Sequence, residues 1–133
     1  MHAASSLARL GWDGRRAAEL SELRIAGAAP ARIARVDRGG GLAIAEDGEL
    51  AVRGAGLAAG DWVAVTDGAV AAVLPRRSTL SRRAAGAAGA EQDIAANVDV
   101  VLVVHGLDPP LRGAASTARW RWRGTRAPCP PWC

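Results

Sequence analysis

Four arginines that follow one apolar stretch are the residues whose type and spacing best suit chemistry in this sequence. They lie within eight residues of one another, at Arg76, Arg77, Arg82 and Arg83. A guanidinium group stays charged and offers a planar fork of N–H donors that fits a phosphate. The cluster therefore predicts binding to a polyanion such as a nucleic acid. A solvated basic face is the alternative, because arginine is abundant along the whole chain.

The sequence offers little for catalysis or metal binding. A phosphate-binding loop needs a glycine cradle, a lysine and a hydroxyl, and this chain contains no lysine. The glycines at 39–41 are therefore predicted to belong to a turn. Cys129 and Cys133 lie far along the chain from His2 and His105, so they do not have the spacing of a zinc site. We predict no catalytic residue, no GTP-binding residue and no metal ligand.

The composition limits what charge alone can show. The 133 residues carry a net charge of +4, and all 17 basic residues are arginine. Such a bias makes arginine content weak evidence for an anionic partner, and the position of the clusters matters more. No stretch is long enough to span a membrane, and the start lacks the basic and apolar pattern of a secretory signal. The expectation is a cytoplasmic protein with a modest core.

Short alternating segments predict a small β-structure preceded by one helix. The helix is expected over 13–25, with Asp13 as its N-cap. Asp-Gly pairs at 47–48 and 67–68 predict hairpin turns, because a type I′ turn needs positive φ at both central residues. Strands are expected at 31–37, 42–45, 49–53, 61–66 and 69–74. Five short strands within about 45 residues suggest a small closed barrel or a sandwich.

Beyond the arginine cluster the chain changes character twice. An alanine- and glycine-rich linker, with one helical turn at 91–97, leads to an apolar run at 98–104. Such β-branched runs are typical of strands covered on both faces, as in a parallel sheet. From Leu111 onward the sequence has neither a helical nor a strand period. A shifted reading frame near Arg112 explains its composition, and a natural low-complexity tail is the alternative.

Several segments, taken in order, resemble the N-terminal part of the ribosome small-subunit-dependent GTPase A family, the circularly permuted GTPases of small-subunit assembly. They are 10–13 (LGWD), 31–37 (ARIARVD), 60–65 (GDWVAV), 73–78 (VLPRRS) with Leu80 and Arg82, and 94–99 (IAANVD). The resemblance covers about residues 7–108. It is specific through the order of the set and not through any single motif.

The resemblance implies an OB-type barrel followed by a GTPase domain and a zinc-binding domain. For the full-length family it implies GTP hydrolysis to GDP, stimulated by the small subunit, with magnesium and structural zinc. It also implies contact with ribosomal RNA, since OB barrels present loops and a strand face to nucleic acid. The residues expected to make this contact are Arg35, Arg38, Arg76, Arg77, Ser78, Arg82 and Arg83.

Together these observations predict a mainly β protein with five regions. They are an N-terminal leader and helix at 1–29, an OB-type barrel with a basic exit at 30–83, a linker at 84–97, the first strand of a missing α/β GTPase domain at 98–108, and an irregular tail at 109–133. The predicted role is binding to ribosomal RNA and the small ribosomal subunit, with no membrane, GTP or cofactor. The alternatives are a stand-alone OB-fold nucleic-acid-binding module and a non-functional fragment.

Because the sequence has no lysine and no phosphate loop, we expect no saturable GTP binding by this chain. The purified protein should retain labelled GTP on a filter no better than background, with or without magnesium. A P-loop GTPase treated in the same way is the positive control. Retention that excess unlabelled GTP removes would contradict this expectation.

Overall fold

Five short strands close into a barrel in the computed structural model, which describes residues 6–83, 91–102 and 121–124. The strands are β1 Ala29–Asp37, β2 Gly40–Ala45, β3 Gly48–Arg53, β4 Trp62–Thr66 and β5 Ala69–Val73. Their order around the barrel is β1-β2-β3-β5-β4, and β3 joins β5 in parallel where Arg53 pairs with Ala69. This order matches an OB-type barrel and confirms the predicted fold class.

The barrel belongs to the first of two units, Met1–Arg76, and Arg77–Cys133 form the second. Its interior is filled by small and branched residues, including Ile33, Ala43, Val52, Val63 and Val65. The turn between β4 and β5 has φ of 50° at Asp67 and 70° at Gly68. Positive values at both positions are what the predicted hairpin turn requires.

Two short helices, α1 Ser6–Arg9 and α2 Gly14–Glu22, precede the barrel. Asp13 caps α2 as predicted, because its Oδ1 accepts the Arg16 N–H at 2.9 Å. The helix ends at Glu22, three residues before the predicted end at Ile25. The prediction was wrong there because Arg24 takes a left-handed φ of 50°, which ends the α-helical path before Gly27 is reached.

The helices pack on the barrel through a second apolar cluster. Leu7, Trp62 and Leu74 are buried in it, and Leu10, Trp12 and Leu20 pack against them. The Trp12 and Trp62 rings meet at 5.0 Å between centroids with an interplanar angle of 58°. Tilted aromatic pairs at this distance add to the stabilisation from burial. Both tryptophans therefore serve packing between the helical segment and β4.

The glycine run 39–41 has two separate structural uses. Gly39 takes φ of 80° in the turn after β1, whereas Gly40 and Gly41 already belong to β2. A Cβ on Gly40 would lie 2.1 Å from the Val52 carbonyl oxygen. A Cβ on Gly41 would lie 2.2 Å from the Arg35 carbonyl oxygen. The turn was thus predicted two residues too long, and the last two glycines allow close approach of neighbouring strands.

The described part of the second unit contains a three-stranded sheet. It consists of β6 Ser78–Arg83, β7 Glu91–Ala96 and β8 Arg121–Gly124, in the order β7-β6-β8. The helical turn predicted at 91–97 was wrong, because residues 91–96 pair with β6 in antiparallel register. A helix so short is marginal on its own, and strand pairing prevails over it. The tail predicted as irregular is described only at β8.

The strand predicted from Val98 is not formed over 98–102. Val100, Val101 and Leu102 are instead exposed, and the remainder of the predicted region, 103–108, lies outside the described residues. Nor does any helix in the described ranges have the length and apolar character that a membrane crossing needs.

Adding a methyl group at Gly41 should destabilise the barrel, because it would collide with the Arg35 carbonyl oxygen. For Gly41→Ala we expect the free energy of unfolding to fall by about 1–3 kcal/mol, the usual cost of overpacking. The matched control is Gly14→Ala at the first position of α2, where an added Cβ meets nothing within 4 Å. Urea unfolding followed by tryptophan fluorescence measures both. Equal stabilities of the two variants would contradict the close approach.

Candidate nucleic-acid interface

Arg76, the first arginine of the predicted cluster, is engaged within the barrel unit. Its Nε donates to Asp61 Oδ1 at 2.7 Å, and its Nη2 donates to Asp61 Oδ2 at 2.8 Å and to the Gly56 carbonyl oxygen at 3.0 Å. Asp61 has no exposed surface, and its Oδ2 also accepts the Ala58 N–H at 2.8 Å. A carboxylate buried this deeply needs a charged partner, so Arg76 has a structural role in neutralising it.

A second arginine holds the chain where it leaves the barrel. Arg16 is buried, and its Nη1 donates to the Pro75 carbonyl oxygen at 2.6 Å and to Glu19 Oε2 at 2.7 Å. Arg16 and Arg76 therefore fix the backbone on both sides of Pro75. The partners that impose this constraint are distant in sequence from the segment they hold, since Arg16 binds Pro75 and Asp61 binds Arg76.

The remaining predicted contacts after Arg76 belong to the second unit. Ser78 is buried, and its Oγ donates to the Val98 carbonyl oxygen at 2.7 Å. The Arg77 backbone N–H donates to Asn97 Oδ1 at 2.9 Å, while the side chains of Arg77 and Arg82 are exposed. Arg83 ends β6, and its side chain lies outside the described residues. The predicted cluster is thus divided between two units, with Ser78 committed to a bond inside its own unit.

Three exposed arginines lie on one part of the barrel, and we call Arg35, Arg38 and Arg53 the arginine face. Arg35 and Arg38 were predicted as contacts, whereas Arg53 was missed because a single arginine at the end of a strand gives no local signal. The strand register reveals it, since Arg53 pairs with Gly40 and Gly40 pairs with Asp37. Two rows away, and so on the same face of the strands, Arg35 pairs with Leu42 and Leu42 with Ala51.

Arg53 also stands where two turns meet. Its backbone N–H donates to the Gly68 carbonyl oxygen at 3.0 Å, and the next N–H, of Gly54, donates to Gly39 at 3.0 Å. The β1–β2 turn and the β4–β5 turn are therefore held together beside the arginine face. In OB folds these two loops and the face of strands 2 and 3 are the parts that contact oligonucleotides.

The chemistry of the arginine face is electrostatic. Within the described residues, the guanidinium groups of Arg38 and Arg53 have no hydrogen-bond or ion-pair partner, whereas Arg35 pairs with Asp37 at 3.1 Å. The residues paired between them are the buried Gly40, the half-buried Leu42 and the exposed Ala51, and none of the three carries an aromatic ring. Such a face suits phosphates, and it offers no platform on which bases could stack.

The described part of the chain has no grouping of three or more His, Cys, Asp and Glu side chains suited to a metal ion. Fold and face together define the class: a small OB-type barrel module with a cationic, non-aromatic strand face. Comparison with known sequences shows the family to which such a module is similar.

The chain is 36% identical over 129 residues to the small ribosomal subunit biogenesis GTPase RsgA of Opitutus terrae, covering 77% of this chain and 35% of that protein. It is 51% identical over 51 residues to RsgA of Xanthomonas oryzae pv. oryzae and 49% identical over 51 residues to RsgA of Xanthomonas campestris pv. campestris. Each of these shorter matches covers 38% of this chain and 14% of the relative.

The predicted resemblance is confirmed, and the chain belongs to the RsgA family over the part that aligns. It spans about a third of the length of the Opitutus relative. No protein-family model matches the chain, and no solved structure matches it.

Removing Arg76 should destabilise the barrel far more than removing Arg38, an exposed arginine of the same unit. Arg76→Ala leaves the Asp61 carboxylate buried without a counterion, so the free energy of unfolding should fall by about 3–5 kcal/mol. Arg38→Ala removes an exposed side chain and should change it by less than about 0.5 kcal/mol. Thermal and urea unfolding of both variants measure the difference. Similar losses for the two would show that Arg76 is an ordinary surface residue.

Proposed function

We propose that this chain is an RNA-binding module for small-subunit assembly, with the arginine face as its main contact. The observation that carries the proposal is a pair of exposed arginines, Arg38 and Arg53, beside the junction of two turns on an OB-type barrel. Among the residues that the structure describes, their guanidinium groups meet no hydrogen-bond or ion-pair partner. Family membership supplies the partner, because the relatives are named for biogenesis of the small ribosomal subunit. Ribosomal RNA is the polyanion that such a subunit presents.

The second unit is proposed to add contacts of its own. Arg77 and Arg82 are exposed, and Arg83 follows at the end of the same strand. In this proposal Arg76 and Ser78 act as positioning residues, because their polar atoms are bound to Asp61 and to Val98. The predicted set of seven contacts is thereby divided into residues that meet RNA and residues that hold the others in place.

The relatives are named as GTPases. We propose that this activity requires sequence outside the third of the Opitutus relative that aligns with this chain. This chain contains no lysine, and a phosphate loop relies on one to reach the terminal phosphates. We therefore propose that it needs no nucleotide and no cofactor, and that magnesium and zinc belong to full-length family members. A cytoplasmic location follows from the proposed partner.

Binding should be electrostatic, weakly dependent on sequence and sensitive to salt. Each phosphate neutralised on a single strand contributes about −0.7 to the slope of log K against log salt. The variant Arg38→Gln/Arg53→Gln should therefore bind a short oligouridine more weakly, with a slope shallower by about 1.4. Fluorescence anisotropy across a salt series measures both quantities, and small-subunit ribosomal RNA serves as a second probe.

The matched control for this measurement is Arg9→Gln/Arg24→Gln. It removes the same charge from two exposed arginines of the helical segment, at the end of α1 and just after α2. The control should keep the original slope. Equal affinity and equal slope for the two double variants would refute the arginine face as the RNA contact and would favour a generally solvated basic surface.

A further inference from the structure

One arginine of the arginine face already holds an anion. Arg35 Nη2 donates to Asp37 Oδ2 at 3.1 Å, and Arg35 Nε donates to both carboxylate oxygens at 3.2 and 3.3 Å. The side chains of Arg35 and Asp37 are 68% and 53% exposed, so the ion pair is accessible to solvent. This two-oxygen arrangement is the one in which a guanidinium fork also receives a phosphate.

The position of Asp37 places its negative charge among the arginines of the arginine face. Asp37 lies at the end of β1, where it pairs with Gly40, and Gly40 pairs in turn with Arg53. Gly40 has no side chain, so the row that joins Asp37 to Arg53 contains no other side chain. The negative charge of Asp37 therefore lies within the arginine face, with Arg35 bound directly and Arg53 at the other end of the row.

We propose that Asp37 is a built-in competitor for RNA phosphate at Arg35, an inference that rests on the RNA-binding role proposed above. In the free protein the Asp37 carboxylate occupies the anion position of the Arg35 fork. An RNA phosphate must displace it before Arg35 can bind, and the displaced carboxylate returns to water.

This competition has a consequence for which ligands the face retains. Exposed ion pairs of this kind are weak, so Asp37 can be displaced, but its charge opposes every anion that approaches. Specificity often depends on such a repulsive element as well as on attraction. The partner that fits is an RNA presenting several neighbouring phosphates, since contacts at Arg38 and Arg53 add to the one at Arg35 and outweigh the repulsion from Asp37.

The test compares Asp37→Asn with Asp47→Asn in the full chain. Asp47 is an exposed aspartate in another hairpin turn, between β2 and β3, and its replacement changes the net charge equally. For Asp37→Asn we expect affinity for small-subunit ribosomal RNA to rise by about twofold to fivefold over the control. The salt slope should steepen by at most about 0.7, the contribution of the one phosphate that Arg35 binds more fully when Asp37 no longer competes.

A double-mutant cycle with Arg35→Gln separates competition from a general charge effect. If Asp37 acts through Arg35, the gain from Asp37→Asn should vanish in the Arg35→Gln background. Equal gains from Asp37→Asn and Asp47→Asn, or a gain that survives Arg35→Gln, would overturn the inference while leaving the RNA contact intact. If Arg38→Gln/Arg53→Gln binds as tightly as its control, the proposed function fails, and the inference fails with it.

Discussion

The Asp61 carboxylate has no exposed surface, and the barrel depends on how its charge is neutralised. Removing a carboxylate from water costs several kcal/mol unless a counterion and hydrogen bonds compensate for it. Arg76 supplies a two-oxygen ion pair and Ala58 a backbone N–H, so the connection before β4 is bound to the segment after β5. The Arg16 bond to Pro75 reinforces the same junction. Two cations, Arg16 and Arg76, thus hold the backbone at the end of the barrel unit.

The arginine face depends on a different constraint, the small residues of the strands. Gly40 and Gly41 allow β2 to lie so close to its neighbours that an added methyl group would meet a carbonyl oxygen of β1 or β3. Together with the bonds from Arg53 and Gly54 to the two turns, this closeness brings three arginines from separate segments to one surface. The result is a surface with three exposed arginines and one exposed aspartate, Asp37. Its charged side chains lie near one another because Gly40 and Gly41 allow the close spacing of the strands.

Local signals in the sequence predict the barrel well. Asp13 as a cap, the Asp67–Gly68 turn and the alternating segments each act over a few residues, and all appear in the structure. Long-range partners explain what was missed. The structural role of Arg76 depends on Asp61, 15 residues earlier, and β7 became a strand only by pairing with β6. Arg53 joined the arginine face through its register with Gly40, and no local pattern marks such a residue.

In the proposed function the barrel binds RNA through Arg35, Arg38 and Arg53, and the Asp61–Arg76 pair stabilises the barrel without touching RNA. Amide chemical-shift mapping of the labelled protein, titrated with small-subunit ribosomal RNA, distinguishes these two roles. We expect the largest shifts at 35–41 and 52–54, with little change over 13–22 and at Asp61. If the largest shifts fall over 13–22 or around Asp61 and Arg76, with 35–41 unmoved, the proposed contact is wrong.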